Sequence, residues 1–307
     1  MKQLGKVLVL GGGGQLGREL LRVLTPIANV VAATRVGMLA DGVACEIVDL
    51  QDPSGLIMLL ERSSPDWVVN AAAYTSVDRA ESEEDEAWRV NAEAPALLSR
   101  WCTDTGVPLL HYSTDYVFDG SADRPYREED PTNPLGVYGA SKLAGEQAVR
   151  KAGGRHLILR TAWVYASHST NFLLTMLRLA EKHDTLKVVA DQVGTPTSAA
   201  LIAESSVRAM LHPGNLSGTW HLTAQGGTTW HGFAQAIFEA AVQHGLLGRV
   251  PQVEAISTAE YPFQASRPHY SRLDVNKFQV DFGIHLPRWE DGLARVISEI
   301  KASSKTR

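Results

Sequence analysis

The chain has 307 residues, of which 44% are hydrophobic and 21% charged, with a formal net charge of −5. That length can bury a large core, in a main domain with a smaller companion. The mild acidity, without a basic tail or stripe, argues against a nucleic-acid partner, and no apolar run approaches the ~20 residues that cross a bilayer, so no membrane partner is expected.

Cys45 and Cys102 form neither a CxxC nor a Cys/His cluster, which predicts reduced thiols in a cytoplasmic protein and no metal. The first residues carry two lysines ahead of an apolar run, as a signal peptide would. That run, Val7–Leu10, is too short for one and reads better as a first strand.

In chain order, Lys6–Leu10 reads as a strand and Gln15–Leu24 as a helix. Strands follow at Asn29–Ala33 and, briefly, at Val43–Val48. A helix over Leu56–Arg62 and a strand over Trp67–Ala71 come next. The patterning then predicts a long helix over Glu83–Asp104, a strand over Pro108–Ser113, a helix over Ser141–Lys151 and a strand over His156–Arg160. This alternation implies an α/β fold, a parallel sheet with helices on both faces, whose ligands bind beyond the carboxyl ends of the strands. The second half is less regular. Helices are expected at Phe172–Lys182, Ala199–Leu211 and Thr228–His244, and a strand at Thr219–Thr223. Ser257–Arg272, with Pro262 and Pro268, reads as a loop. Asp274–Val280 and Trp289–Ile300 read as closing helices, and the polar tail Ser303–Arg307 as frayed.

The run Gly11-Gly12-Gly13-Gly14-Gln15-Leu16-Gly17 lies between the first strand and its helix. Glycines there let the backbone approach a pyrophosphate, and the helix N-terminus supplies N–H donors and partial positive charge. Gly12, Gly14 and Gly17 fit GxGxxG, while Gly11, Gly14 and Gly17 fit GxxGxxG; the placement points to a dinucleotide. After the second strand come Thr34 and Arg35, with no acid until Asp41. An acid at the strand end selects NAD by bonding the ribose hydroxyls. Thr34 and Arg35 can instead bind a 2′-phosphate, so NADPH is expected as the cofactor, with NADH still usable. Asp49 and Leu50 follow the third strand, at a distance that suits the adenosine. Ala71, Ala72 and Ala73 are small enough for a flat ring to lie against the backbone.

Tyr138 and Lys142 are four residues apart and share a face if the segment is helical. A neighbouring ammonium lowers a phenol toward neutrality and makes it a usable acid or base. Ser113 and Thr114 end the strand Pro108–Ser113, where a hydroxyl can meet a substrate carbonyl. His111 in that strand reads as a packed core residue. The acidic run Glu81–Glu86 reads as a helix start, where carboxylates favour the positive dipole end, and not as a metal site.

The glycine run, Ser113-Thr114-Asp115-Tyr116-Val117-Phe118 and the Tyr138–Lys142 pair together resemble the extended short-chain dehydrogenase/reductases. Further stretches sharpen the likeness to the dTDP-4-dehydrorhamnose reductase family. They are Asn70 to Asp78, Arg160 to Tyr165, Asn171-Phe172, Asp191 to Thr197 and Arg267 to Leu273, and the likeness spans nearly the whole chain. It implies a Rossmann-type doubly wound parallel sheet with a smaller C-terminal α/β substrate domain, divided as 1–165 with 191–228 and 166–190 with 229–307. It implies that Tyr138 protonates a sugar C4 oxygen, that Thr114 polarises the carbonyl, and that Lys142 tunes Tyr138 and holds the cofactor ribose. Ser113, Asp115, Tyr116, Trp163, Asn171 and Arg267 are the expected contacts to a sugar-nucleotide substrate, with the arginine suited to a diphosphate.

Some family members dimerise around a metal held by surface carboxylates, one of them shortly after the Gly-x-Pro-Thr motif. Here that stretch reads Ser198-Ala199-Ala200-Leu201, with no carboxylate until Glu204. A homodimer is therefore expected to lack that link, with Glu19 and Glu299 as remnants of it. Two alternatives stay open: a sugar-nucleotide dehydratase or epimerase of the same fold, and a non-catalytic regulatory subunit. A dehydratase needs a second acid/base residue where Tyr116 follows Asp115, and intact Thr114, Tyr138 and Lys142 favour an enzyme.

Overall fold

The computed structural model describes residues 4–262 and 264–304. Met1–Gln3 of the N-terminal segment, Phe263 of the expected loop and Lys305–Arg307 of the tail lie outside the described residues. The first half alternates as the pattern predicts: β1 (Lys6–Leu10), α1 (Gln15–Leu24), β2 (Asn29–Thr34), β3 (Glu46–Ile47), α2 (Pro53–Ser63), β4 (Trp67–Asn70), α3 (Val77–Ala80), α4 (Glu84–Trp88), α5 (Ala94–Thr105), β5 (Leu109–Thr114), α6 (Val137–Ala152) and β6 (His156–Thr161). The second half adds β7 (Val164–Tyr165), α7 (Phe172–Ala180), β8 (Thr185–Val189), β9 (Val193–Gly194), β10 (Thr197–Ser198), α8 (Ala199–Met210), β11 (Gly218–His221), β12 (Thr228–Thr229), α9 (Trp230–Gln243), β13 (Gln252–Ile256), α10 (Asn276–Phe282) and α11 (Trp289–Ser304).

Seven strands form the main sheet in the order β11-β6-β5-β4-β1-β2-β3, all parallel. The order reverses beside β1, so β1 and β4 diverge to their connections at the carboxyl edge and leave a crevice there. In β1 alternate side chains serve two cores. Val7 and Val9 pack with Leu20 and Leu24 of α1, Ile202 and Val207 of α8, and Phe278 and Phe282 of α10. Leu8 and Leu10 pack on the other face with Leu56, Leu59 and Leu60 of α2, Leu98 of α5 and Val149 of α6. Each such side chain fully buried contributes roughly 1.5–3 kcal/mol. A third core lies away from the sheet, where Leu173, Met176, Phe233, Phe238, Trp289 and Ile297 bring together α7, α9 and α11. Its small parallel sheet pairs β8 with β13.

Several elements differ from expectation. The third strand shrinks from Val43–Val48 to Glu46–Ile47. The long helix Glu83–Asp104 is interrupted by a π-turn at Arg89–Glu93. Pro95, at the start of α5, has no N–H to continue the ladder, which loosens the turn before it. The carbonyl of Asn91 in that turn then meets α6 at Gly145, where any Cβ would overlap it. The helix expected at Ser141 begins at Val137, which places Tyr138 inside it. Ser303 and Ser304, expected to fray, are helical, their hydroxyls donating to Glu299 O and Ile300 O. Thr228 and Thr229 form a strand residue pair ahead of α9 and not its first turn.

Candidate active site

At the carboxyl edge of the sheet a cleft of about 680 Å³ opens between the main sheet and the third core. The glycine turn adjoins it through Gln15. Gly11 adopts φ +83, and a Cβ there would lie 2.7 Å from Ala72 N. A Cβ on Gly17 would overlap the Gly11 carbonyl. No side chain caps α1 at Gly14, so its first N–H groups face outward for a ligand. Gln15 lines the cleft, and its Oε1 is buried with no hydrogen-bond partner among the described residues. This cradle fits the pyrophosphate of a dinucleotide, and Leu16 packs behind it against the sheet. Ala71 and Ala72, with Ala73 next in the chain, close it on the β4 side. Asp49 is exposed and accepts from Gln51 N at 2.9 Å, while Leu50 is buried beneath it.

Arg35 is exposed beside this cradle, where it can reach an adenosine phosphate. Thr34 is placed differently from the sequence expectation. It is buried, and its hydroxyl accepts from Met38 N at 3.3 Å and faces Met38 O, so it braces the following turn instead of facing a ligand.

The chemistry-bearing groups gather at the end of β5 and the first turns of α6. Tyr138 and Lys142 lie on one helix, as their spacing requires. Lys142 is buried and donates to Tyr112 O at 2.6 Å. Burial lowers its ammonium to about 8, partly offset by the charge of Glu146. The Tyr138 phenol shares a hydrogen bond with Thr114, and its ring meets Tyr116 edge-on at 5.9 Å. Its pKa runs against expectation. Burial, with the negative charge of Asp115, pushes it up to about 12, opposed by the hydrogen bond shared with Thr114, while the Lys142 amine is directed to the β5 carbonyl. Tyr138 is therefore a protonated phenol at neutral pH, ready to donate. Thr114 donates to Asp115 Oδ1 at 3.0 Å and accepts from Tyr116 N at 3.2 Å. Burial raises the Asp115 carboxyl to about 6, opposed by hydrogen bonds from Ser271 and Thr114. Ser113 lines the cleft beside them. His111 is the packed core residue expected, buried with Nδ1 3.1 Å from Asn70 Nδ2.

The opposite wall is apolar. Trp163 stacks on Trp230 with ring centroids 3.6 Å apart, and Phe172 tilts against Trp230 at 4.7 Å. Trp163 has φ 46, a left-handed conformation that costs a bulky residue on the order of 1–3 kcal/mol and marks functional positions. Arg267 and Tyr261 reach the cleft from the 257–272 loop. Arg267 makes a two-pronged pair with Asp78, at 3.0 and 2.8 Å, while Asp78 also accepts from Gln264 N and Ala265 N. Asn171 does not line the cleft. Its Oδ1 accepts from Leu174 N to cap α7, and its Nδ2 donates to Ala166 O and His168 O, so the amide is fully used in folding.

Some supporting residues escape a sequence reading. Glu81 accepts from Val137 N at 2.9 Å and so caps the catalytic helix from a distant turn. Asn91, in the π-turn, ties the Tyr74 backbone to Ser141 of α6. Trp230 and Met176 carry no motif. The acidic run does open α4, with Glu84, Asp85 and Glu86 in its first turn.

Comparison with known proteins agrees with this geometry. The family model described as RmlD substrate binding domain matches residues 5–302. The chain belongs to that family. It is 42% identical to dTDP-4-dehydrorhamnose reductase of Salmonella typhimurium, over 96% of this chain and 97% of that protein. Among solved structures, dTDP-4-dehydrorhamnose reductase from Bacillus anthracis in complex with NADP is 32% identical with a TM-score of 0.87, covering 97% of this chain and 100% of that one. The ortholog from Clostridium acetobutylicum is 34% identical with a TM-score of 0.87, covering 96% of this chain and 99% of that one. The fold is thus the Rossmann-type α/β arrangement expected, and no helix among the described residues is long and apolar enough to cross a membrane.

Proposed function

We propose that the chain reduces the C4 keto group of dTDP-4-dehydro-L-rhamnose to dTDP-L-rhamnose, the last step of dTDP-rhamnose synthesis, with NADPH as reductant and NADH usable. The observation that carries this reading is the convergence of Thr114 and Tyr138 in the cleft, with Lys142 buried one helical turn behind Tyr138, between a glycine cradle and an apolar wall. NADPH, when bound, supplies the hydride. Gly11, Gly14, Gln15, Leu16, Gly17, Asp49, Leu50 and Ala71 to Ala73 hold it, Arg35 pairs with its 2′-phosphate, and Lys142 holds its nicotinamide ribose.

Tyr138 gives its phenolic proton to the C4 oxygen as negative charge develops there. Thr114 turns its hydroxyl from Asp115 to that oxygen and polarises the carbonyl. Ser113, Asp115 and Tyr116 position the sugar, Trp163 packs on the substrate, and Arg267, oriented by Asp78, meets the diphosphate. Residues 1–165 and 191–228 form the cofactor unit, and 166–190 and 229–307 the substrate unit. Within the latter, Val275, Phe278, Phe282, Ile284 and Leu286 pack into the sheet core, which supports counting that short stretch with the cofactor unit. A cytoplasmic location and a homodimer without a bridging metal belong to the same proposal.

The test is oxidation of NADPH with freshly generated dTDP-4-dehydro-L-rhamnose, with the product identified by NMR. Stoichiometric consumption of NADPH with formation of dTDP-L-rhamnose is expected. Interconversion of sugar epimers without net loss of NADPH would show an epimerase instead.

A further inference from the structure

Beneath the reacting groups lies an ion pair that the proposed chemistry leaves unused. Glu146 is fully buried on α6, one turn after Lys142. Arg160 of β6, also buried, grips it with two hydrogen bonds, Nε to Oε1 at 2.8 Å and Nη2 to Oε2 at 2.7 Å. Arg150 adds a third at 2.9 Å from the solvent side. The Arg160 guanidinium lies over the Phe118 ring at 5.1 Å, and its Nη1 is 3.4 Å from His221 Nε2. His221 is held neutral, lowered to about 3 by burial and by the charge of Arg160. Arg160 thus holds one carboxylate with two of its nitrogens while Phe118 and His221 fix the rest of the guanidinium.

Stability alone does not account for this arrangement. A buried ion pair is no more stabilising than apolar residues of the same volume, and often less so. The position of the carboxylate suggests a different service. Residues four apart on a helix are neighbours, with Cβ atoms roughly 5–6 Å apart, so Glu146 faces the Lys142 stem. The other titratable groups around Lys142 offer little opposing charge. His111 of β5 is neutral, pushed well down by burial and by Lys142 itself. Tyr138 is a phenol, and the charge that acts on Lys142 is that of Glu146 and not that of Asp115. Among the described residues, Lys142 itself has only a neutral carbonyl, Tyr112 O, as its hydrogen-bond acceptor.

We propose that Glu146, clamped by Arg160, is a positioning residue of the reducing site: its carboxylate is the counter-charge that keeps the buried Lys142 an ammonium. The inference rests on the role given to Lys142 above for its effect on turnover, but not for its effect on Lys142 itself. Arg160 holds the carboxylate ionised and in register, and the charge acts on Lys142 along the helix.

The test uses the full-length protein with NADPH and compares wild type, Glu146→Gln and the double variant Glu146→Gln/Arg160→Met. The single variant leaves a buried guanidinium without its counter-ion. The double variant removes that defect and keeps the volume filled. Lys142 is read directly by carbon-13 NMR of ε-labelled lysine, assigned by its loss in Lys142→Arg. The pH profile of kcat/KM is measured in parallel.

In both variants the Lys142 midpoint is expected to fall by about one pH unit or more, since an opposite charge at this range shifts a pKa by about 1–3 units. The alkaline limb of the profile falls with it, while the double variant regains the thermal stability that the single variant loses. An unchanged Lys142 midpoint in both variants overturns the inference. So does a double variant that regains stability together with the wild-type midpoint, because the pair is then only structural. A midpoint that falls without movement of the alkaline limb upholds the counter-charge and removes Lys142 from the proposed mechanism instead.

Discussion

The two walls of the cleft are built on opposite principles. On the sheet side, Thr114, Asp115, Tyr138 and Lys142 are polar groups fixed by backbone that is buried on both faces, and three of them carry pKa values moved by burial. Across the cleft, Trp163, Trp230, Phe172 and Met176 form an apolar wall gathered from the β6–β7 connection, α7 and α9, over the third core. One wall offers hydrogen bonds and charge at set positions, and the other offers shape and dry surface. Reduction needs the first for proton transfer and the second to hold a substrate while that transfer occurs, so substitutions in the two walls should have separable kinetic signatures.

Tyr138→Phe tests the polar wall and carries the largest expected effect. The ring can keep its edge-on contact with Tyr116, so folding and NADPH binding are expected to be unchanged. Turnover should fall by about 10²–10⁴-fold, the usual worth of general acid catalysis. Steady-state kinetics alongside NADPH titration by fluorescence checks this, and wild-type turnover would remove Tyr138 from the mechanism.

Arg35→Ala comes next and probes the cofactor end of the same wall. With Thr34 turned inward onto Met38, Arg35 carries the phosphate preference without help from its neighbour. A charged hydrogen bond is worth about 1.5–3 kcal/mol, so the KM for NADPH is expected to rise roughly 10–100-fold while that for NADH changes little. Equal effects on the two cofactors would show that Arg35 does not read the 2′-phosphate.

Trp230→Ala tests the apolar wall. Loss of its stack on Trp163 should raise the KM for the sugar nucleotide by about tenfold, the sum of a stacking term and lost burial, with kcat nearly unchanged. A fall in kcat as large as that of Tyr138→Phe would erase the distinction between the walls.

These walls also differ in how far they can be read from sequence. The glycine turn and the Tyr138–Lys142 spacing are local, set by one strand–helix junction and one helical turn, and both occur as expected. The start of α6 is less legible. Gly136 and Gly139 look like breakers, and the acceptor that lets the helix begin at Val137 is Glu81, which meets it only in the folded chain. Thr34 and Asn171 show a related limit. Residue type correctly marks each as able to bond a ligand, but Thr34 bonds its own turn and Asn171 caps α7. Trp230, Met176 and the strand pair β8–β13 carry no signature because each is defined by a partner distant in sequence. Pro95 could have warned of the break in the long helix, since it removes a donor from the ladder.

The smallest expected effect lies at the seam where the sheet and the third core meet. Glu204 lies one helical turn beyond Ala200, so α8 does bring a carboxylate to this surface. It takes Arg295 at 2.7 Å and Arg22 at 3.0 Å. Glu19 of α1 accepts from His168 at 2.9 Å and from Arg22 at 2.8 Å, and the hydrogen bond from His168 is the first cause that holds it down at about 2. Glu299 takes Arg295 and the Ser167 hydroxyl. Three carboxylates from three helices are therefore bridged by guanidinium and imidazole groups, and among the described residues no cluster of three or more metal-ligand side chains is arranged around a common point. A hard divalent cation needs several oxygens turned inward together, and here it would first have to displace Arg22 and Arg295. The mass in solution, measured by light scattering, is accordingly expected to be the same in EDTA and in magnesium. A dimer that dissociates in EDTA would mean that these carboxylates, or another set, hold a metal between subunits. Each exposed pair contributes only about 0–1 kcal/mol, so single loss of Arg22 or Arg295 should leave stability nearly unchanged. Loss of both together should free Glu204, and a gain of magnesium dependence in that double variant would show that the arginines stand in for a cation at the seam.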